Sequence, residues 1–189
     1  MSTTAIFLVF DMFPSFSGVA PAARLLACAF AAGTCISFNA HAHGTHTHGH
    51  GTARLTVDGP VVEVSIDVPL ESYLGYDYPP HGEAQQQVWD AFAARVGNPL
   101  NFIEPAAEAR CTVTAASTTP DIGKATPAVD ISNVVLAVKF HCEQPAALKS
   151  FSLHAFRDHP GLKQLRVQMQ LNGQRKTVTV RPRFPAITL

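Results

Sequence analysis

Residues 53–68 run Ala53-Arg54-Leu55-Thr56-Val57-Asp58-Gly59-Pro60-Val61-Val62-Glu63-Val64-Ser65-Ile66-Asp67-Val68. Apolar and polar residues alternate on both sides of Asp58-Gly59. A period of two puts Val62, Val64, Ile66 and Val68 on one face and Glu63, Ser65 and Asp67 on the other. Asp58-Gly59 is a tight-turn pair, so the stretch predicts a β-hairpin with one buried face. Pro69 closes its second strand.

Downstream, residues 70–80 (LESYLGYDYPP) read as an aromatic-rich loop bending at Gly75. Residues 82–96 are the best helix: Val88, Trp89, Phe92, Ala93 and Val96 recur at three- and four-residue spacing. Glu83 in its first turn and Arg95 in its last suit the helix dipole, and Gly97-Asn98-Pro99 stops it. Residues 100–104 suit a helical turn before Pro105. Strands are expected at 111–116 and 131–142, around a polar loop, 117–128. A short turn at 145–150, a strand at 150–154 and a turn or short helix at 155–160 follow. Residues 164–171 and 175–180 alternate around Asn172-Gly173, a type I′ pair, and form a second hairpin. Strands outnumber helices and are joined mostly by turns. The fold class expected is therefore α+β, a mostly antiparallel β-sheet with one main α-helix and a flexible His-rich N-terminal arm.

Upstream of the hairpin the composition changes twice. Residues 43–51 (HGTHTHGHG) are low in complexity and lack an apolar period, so they are expected to be flexible without metal. Residues 1–42 hold two ordinary charges, Asp11 and Arg24. Arg24, the apolar run 25–38 and the small-x-small site Ala40-His41-Ala42 make an export signal cleaved after Ala42. That run is short for a membrane span. An uncleaved anchor is the rival reading, a start at Met12 is an open alternative, and a lipoprotein site at Cys28 is disfavoured by Arg24 directly before Leu25. The expected organisation is a signal at 1–42, a metal-binding arm at 43–51 and a single domain at 52–189.

The 14 Lys and Arg offset the 14 Asp and Glu, leaving no overall charge footprint for nucleic acid or anionic lipid. Cys28 and Cys35 fall in the signal. Cys111 and Cys142 remain, and one pair in an exported chain most simply forms one disulfide; two buried thiols are the plainer alternative. On neighbouring strands, closing a loop of roughly thirty residues, the bond would stabilise by about 3–4 kcal/mol.

Four histidines of the arm, His43, His46, His48 and His50, are spaced H-x-x-H-x-H-x-H. Imidazole is a borderline-soft donor that suits zinc, copper and nickel and is largely neutral at pH 7. In an extended chain His46, His48 and His50 share a face. Three or four such ligands complete a tetrahedral zinc shell. The body offers His81, His141, His154 and His159, with Asp77 and Glu71. The site expected is His46, His48 and His50 closing over the body, with His81 and Asp77 at the rim and His43, His154 and His159 as further candidates. Against this stands the plainer reading of a His-rich stretch with weak, adventitious binding. His141 has a solvent-facing alternative, and Trp89 and Phe92 read as helix core.

Three stretches, in order, resemble the zinc-regulated periplasmic protein family of Gram-negative bacteria, which is linked to zinc uptake. They are HAHGTHTHGHGTARLTVDGPVVEVSIDVP (41–69), LESYLGYDYPP (70–80) and the final residues 147–189. The resemblance covers most of the chain after the signal, and the order of the motifs carries it. It implies a periplasmic zinc-binding protein acting as zinc chaperone, buffer or accessory to uptake. An ABC-type zinc importer or its binding protein would be the partner. The sequence departs from the family where Tyr78 stands in place of a histidine beside Asp77. It departs again in the loop 117–128, which has no histidine and one acid, Asp121.

Other functions fit less well. A copper or nickel carrier has the same architecture, and the Irving–Williams order favours Cu(II). A zinc hydrolase would need three fixed ligands, an open position and a base. No H-E-x-x-H or nucleophile elbow occurs, so no enzyme activity is expected. A structural or adhesion module with a linker arm is the last alternative.

Overall fold

The computed structural model describes residues 47–123 and 126–189. The signal expected at 1–42, with its cleavage site, and the ligands His43 and His46 lie outside the described residues.

Nine strands, three α-helices and three 3-10 turns follow in order among the described residues. The strands are β1 (His50–Asp58), β2 (Val61–Pro69), β3 (Ile103–Pro105), β4 (Cys111–Thr119), β5 (Asn133–Cys142), β6 (Ser150–Leu153), β7 (Gln164–Leu171), β8 (Gln174–Val180) and β9 (Ala186–Thr188). The helices are α1 (Leu70–Leu74), α2 (Glu83–Val96) and α3 (Ala155–Asp158). A six-stranded sheet runs β4-β5-β2-β1-β7-β8, and a three-stranded sheet runs β3-β6-β9. All strand pairs are antiparallel except β1 with β7. The α+β reading with mostly antiparallel sheet therefore holds.

The first hairpin forms as its alternation requires, with Leu55 opposite Val64 and Asp58 opposite Val61. Its turn sits one residue further on than expected. Gly59 (φ 54°) and Pro60 are the central pair, glycine supplying the positive φ and the proline ring a fixed negative one. The second hairpin turns on Asn172 and Gly173, at φ 49° and 82°, both left-handed as a type I′ turn demands.

The predicted buried face of β2 is realised: Val62, Val64, Ile66 and Val68 are all buried. Val134, Leu136, Val138 and Phe140 of β5 continue that face, and Leu165, Val167 and Met169 of β7 close its other side. The small sheet contributes Ile103, Phe151, Leu153 and Ile187 to the same core, and the Phe140 and Phe151 rings meet at 6.2 Å. Helix α2 buries Trp89 and Phe92, whereas Val88, counted in its apolar stripe, is exposed. Ala93 and Val96 pack against the same core while only partly buried, so Val88 alone of the expected stripe is exposed.

Five elements differ from expectation. Residues 103–105 form strand β3 where a helical turn was expected over 100–104, and residues 186–188 add strand β9, which the alternation did not show; both join β6 in the small sheet. Residues 70–74 are helical, ending at Gly75, whose left-handed φ of 85° makes the expected bend. Strand β4 runs on through Ser117, Thr118 and Thr119, because their backbones pair with Ala137, Leu136 and Val135 of β5. Strand β1 takes in His50 and Gly51, the last two residues of the segment read as an arm. Cys111 and Cys142 face each other in register on β4 and β5 and are joined by the disulfide.

Candidate metal centre

The root of the histidine segment is fixed by backbone chemistry. Gly49 is buried at φ 75°. Its N–H donates to Ser72 Oγ of α1 at 3.2 Å. Its carbonyl accepts from Lys163 N at 2.7 Å and Gln164 N at 3.0 Å. A side chain cannot stand here: a Cβ on Gly49 would lie 2.8 Å from the Gly161 carbonyl oxygen. Gly161 is equally cramped, a Cβ there coming 2.5 Å from the Ser72 oxygen. These glycines let the start of β1, α1 and the 160–163 turn approach backbone to backbone.

This clamp sets the position of His48, one residue upstream. His48 Nδ1 meets Glu71 Oε1 on α1. The imidazole side chain is 85% exposed, while Glu71 is 25% exposed. With Nδ1–H donated to the carboxylate, Nε2 keeps its lone pair and faces outward. A carboxylate behind one ring nitrogen orients the imidazole and leaves the other nitrogen for a metal. Glu71 was recognised as an available carboxylate but not placed in the expected site. Only the five-residue helix after Pro69 aims it at His48, and that helix is too short to show a period.

His50 opens β1 on the polar face of the large sheet, exposed, opposite Gln164. It shares a recess of about 360 Å³ with Asp67, Asn133 and Arg166. Asn133 Nδ2 donates to Asp67 Oδ1 at 2.6 Å there.

The other candidate ligands make different contacts. His81 rests its ring on Tyr78, centroids 5.1 Å apart, and its backbone N–H donates to Gln85 Oε1 at 2.6 Å. Gln85 also donates to the Tyr78 hydroxyl at 3.1 Å, so Tyr78 braces the start of α2. Asp77 accepts from Ile131 N at 2.7 Å through its carbonyl, leaving its carboxylate exposed. His154 follows β6, and its Nε2 lies 2.7 Å from Glu104 Oε2 on β3. That makes a second histidine–carboxylate pair, whose acid the sequence reading missed because Glu104 looks like any exposed strand residue. His141 is exposed on β5.

His159 has a different character. It is 6% exposed and stacks on Phe102 with centroids 5.7 Å apart and planes 10° from parallel. Tyr73 and Phe92 meet it edge-on at 4.8 and 5.8 Å. Its Nδ1 donates to the Tyr73 carbonyl at 3.2 Å, and Nε2 is enclosed without a protein partner. Burial lowers its pKa, the Tyr73 hydrogen bond opposes this, and the nearby Arg95 guanidinium adds to the lowering. The ring packs as an aromatic member of the core, with its Nε2 buried. Asp158 beside it is held by Arg157 and Arg95. Chiefly through the Arg157 hydrogen bond, its carboxyl falls to about 2.

Among the described residues no three His, Cys, Asp or Glu side chains gather as a metal cluster. What the fold brings together is a pair, His48 and Glu71, at the point where the histidine run meets the body. The expected rim residues His81 and Asp77 make their contacts within the 76–85 segment and with Ile131.

No curated protein matches the chain. A family model described as ZrgA family zinc uptake protein matches residues 45–189. The match begins within the histidine run and takes in every element described above; with the disulfide, it fits an exported protein. The chain belongs to the ZrgA family of zinc uptake proteins.

Proposed function

We propose that this protein holds zinc outside the cytoplasm as a chaperone, buffer or accessory to uptake, and that it carries the ion without catalysing a reaction. The observation behind this reading is the His48–Glu71 pair at the clamped root of the histidine run. His48 Nε2 is the anchored donor. His46 and His43 follow upstream at the spacing imidazole ligation needs, and His50 stands two residues downstream on the sheet. Imidazoles, one of them backed by a carboxylate, suit zinc, and three nitrogen donors leave a position from which the ion can be passed on. Periplasmic residence, and delivery to an ABC-type importer or its binding protein, complete the proposal.

Isothermal titration with zinc tests it. The processed protein is expected to bind about one zinc per chain tightly. Glu71→Gln keeps the shape but loses the charge behind His48, and is expected to weaken binding roughly 10- to 100-fold. Deleting residues 43–50 is expected to abolish tight binding. Equal affinity in all three proteins would discard the site.

A further inference from the structure

The formal charges of the whole chain cancel, but they are not evenly distributed. After Asp158 there is no Asp or Glu, while Lys163, Arg166, Arg175, Lys176, Arg181 and Arg183 follow. Residues 159–189 therefore carry a formal +6, and the rest of the chain −6. The fold concentrates this excess at one sheet edge. Strand β8 is terminal in the large sheet, so one row of its backbone N–H and C=O groups faces away from β7. Its first four residues, from Gln174 to Thr177, are exposed on both faces. Arg175, opposite Gln170, lies on the polar face of the sheet. Lys176, opposite the buried Met169, lies on the other.

On the Lys176 side a groove of about 420 Å³ runs along β8. Val178 and Val180 form its floor, and Arg181, Arg183 and Phe184 lie along it. Phe184 is 72% exposed, with the Arg183 guanidinium 5.4 Å from its ring centroid. Among the described residues, Arg175, Lys176 and Arg183 have no ion-pair partner. Proteins commonly blunt an edge strand with lysine, but that needs one or two charges. Here cations flank both faces of the edge, an exposed aromatic ring stands beside them, and no carboxylate side chain follows in sequence.

We infer that β8 and the adjoining groove form a docking edge for an extended acidic segment of a partner protein, which adds as a further strand. Main-chain hydrogen bonds to the free edge supply register. Alternate side chains of the guest fall on the two faces, where acids meet Arg175 on one side and Lys176 and Arg183 on the other. Phe184 covers the apolar stem of the guest. An anionic membrane would use the charge but not the backbone edge, so a protein strand is the occupant that uses both. This surface is separate from the His48–Glu71 pair and does not depend on zinc binding there.

Fluorescence anisotropy tests the inference on the processed protein, with a labelled peptide of alternating glutamate and threonine as probe. Saturable binding that weakens with salt is expected, and a lysine–threonine peptide should not bind. Arg175→Glu with Lys176→Glu should weaken binding at least ~10-fold. Arg183→Gln, outside the strand, should weaken it ~3-fold and serves if the double variant does not fold. Hydrogen exchange should show the probe protecting outward-facing amides of β8. Absence of saturable binding, equal binding of the lysine peptide, indifference to these substitutions, or binding to phosphatidylglycerol vesicles but not to the peptide would each overturn it.

Discussion

Breaking the Cys111–Cys142 bond should lower stability by an amount that follows from the fold. The two cysteines are 31 residues apart. Closing a loop of that size removes ~12 cal/mol/K from the unfolded ensemble, or ~3.7 kcal/mol at 25 °C. In a unit the size of Thr45–Leu189 this corresponds to roughly 10 °C in Tm. The native state adds a reason for local specificity. Strand β4 has no fully buried residue, so little apolar burial holds it against β5. Its backbone pairing and the bond from Cys111 to the buried Cys142 do so instead. Urea unfolding of the oxidised protein, the reduced protein and a Cys111→Ala/Cys142→Ala variant should show the loss, with little change in the native fold of β1, β2 and β7. Hydrogen exchange after reduction should open the amides of β4 before those of β2. A loss under ~1 kcal/mol, or β2 amides exchanging as readily as those of β4, would refute the loop-entropy account.

Two further perturbations probe the clamp and the core. Gly49→Ala forces a Cβ to 2.8 Å from a backbone oxygen at a left-handed φ, whereas Gly75→Ala pays only the left-handed cost in open space. Urea midpoints should place Gly49→Ala ~1–3 kcal/mol below Gly75→Ala, and zinc titration should find Gly49→Ala weaker because His48 moves off Glu71. The pKa of His159 is lowered by burial, so below its unfolded value of about 6.5 the unfolded chain takes up a proton that the folded chain refuses. Its contribution is therefore present above that pH and is lost as pH falls towards the folded value. His159→Phe should flatten the decline in urea stability between about pH 7.5 and about pH 5, and an unchanged slope would show that this histidine does not set it.

Both hairpins were legible because the signals are local: alternation on each side and a turn pair with positive φ at Gly59, Asn172 and Gly173. The one-residue shift of the first turn arose because Asp-Gly and Gly-Pro are both good turn pairs, and the register that buries Val62 and Val64 decides between them. Helix α2 was legible from spacing, though not which of Val88 and Trp89 it would bury. The parallel pairing of β1 with β7 was not legible, because nothing within either strand specifies a neighbour more than a hundred residues away.

The site divides the same way. The histidine run is visible as composition. Which carboxylate stands behind His48 depends on Gly49, Ser72 and Gly161 meeting in space, and the aromatic loop with Asp77 and His81 offered an equally reasonable partner on paper. His159 and His154 read alike in sequence. One is enclosed by Tyr73, Phe92 and Phe102, the other is partly exposed beside Glu104, and only packing separates them.

The bonds from the Gly49 carbonyl to Lys163 and Gln164 bear on the order in which the molecule is assembled. The anchor of the first histidines waits for β7, close to the other end of the chain. A chain synthesised from its N-terminus cannot seat His48 against a settled Glu71 until residue 164 has arrived. Closing so long a loop is slow compared with forming either hairpin. If zinc binds there as proposed, tight capture would mark chains that have finished folding.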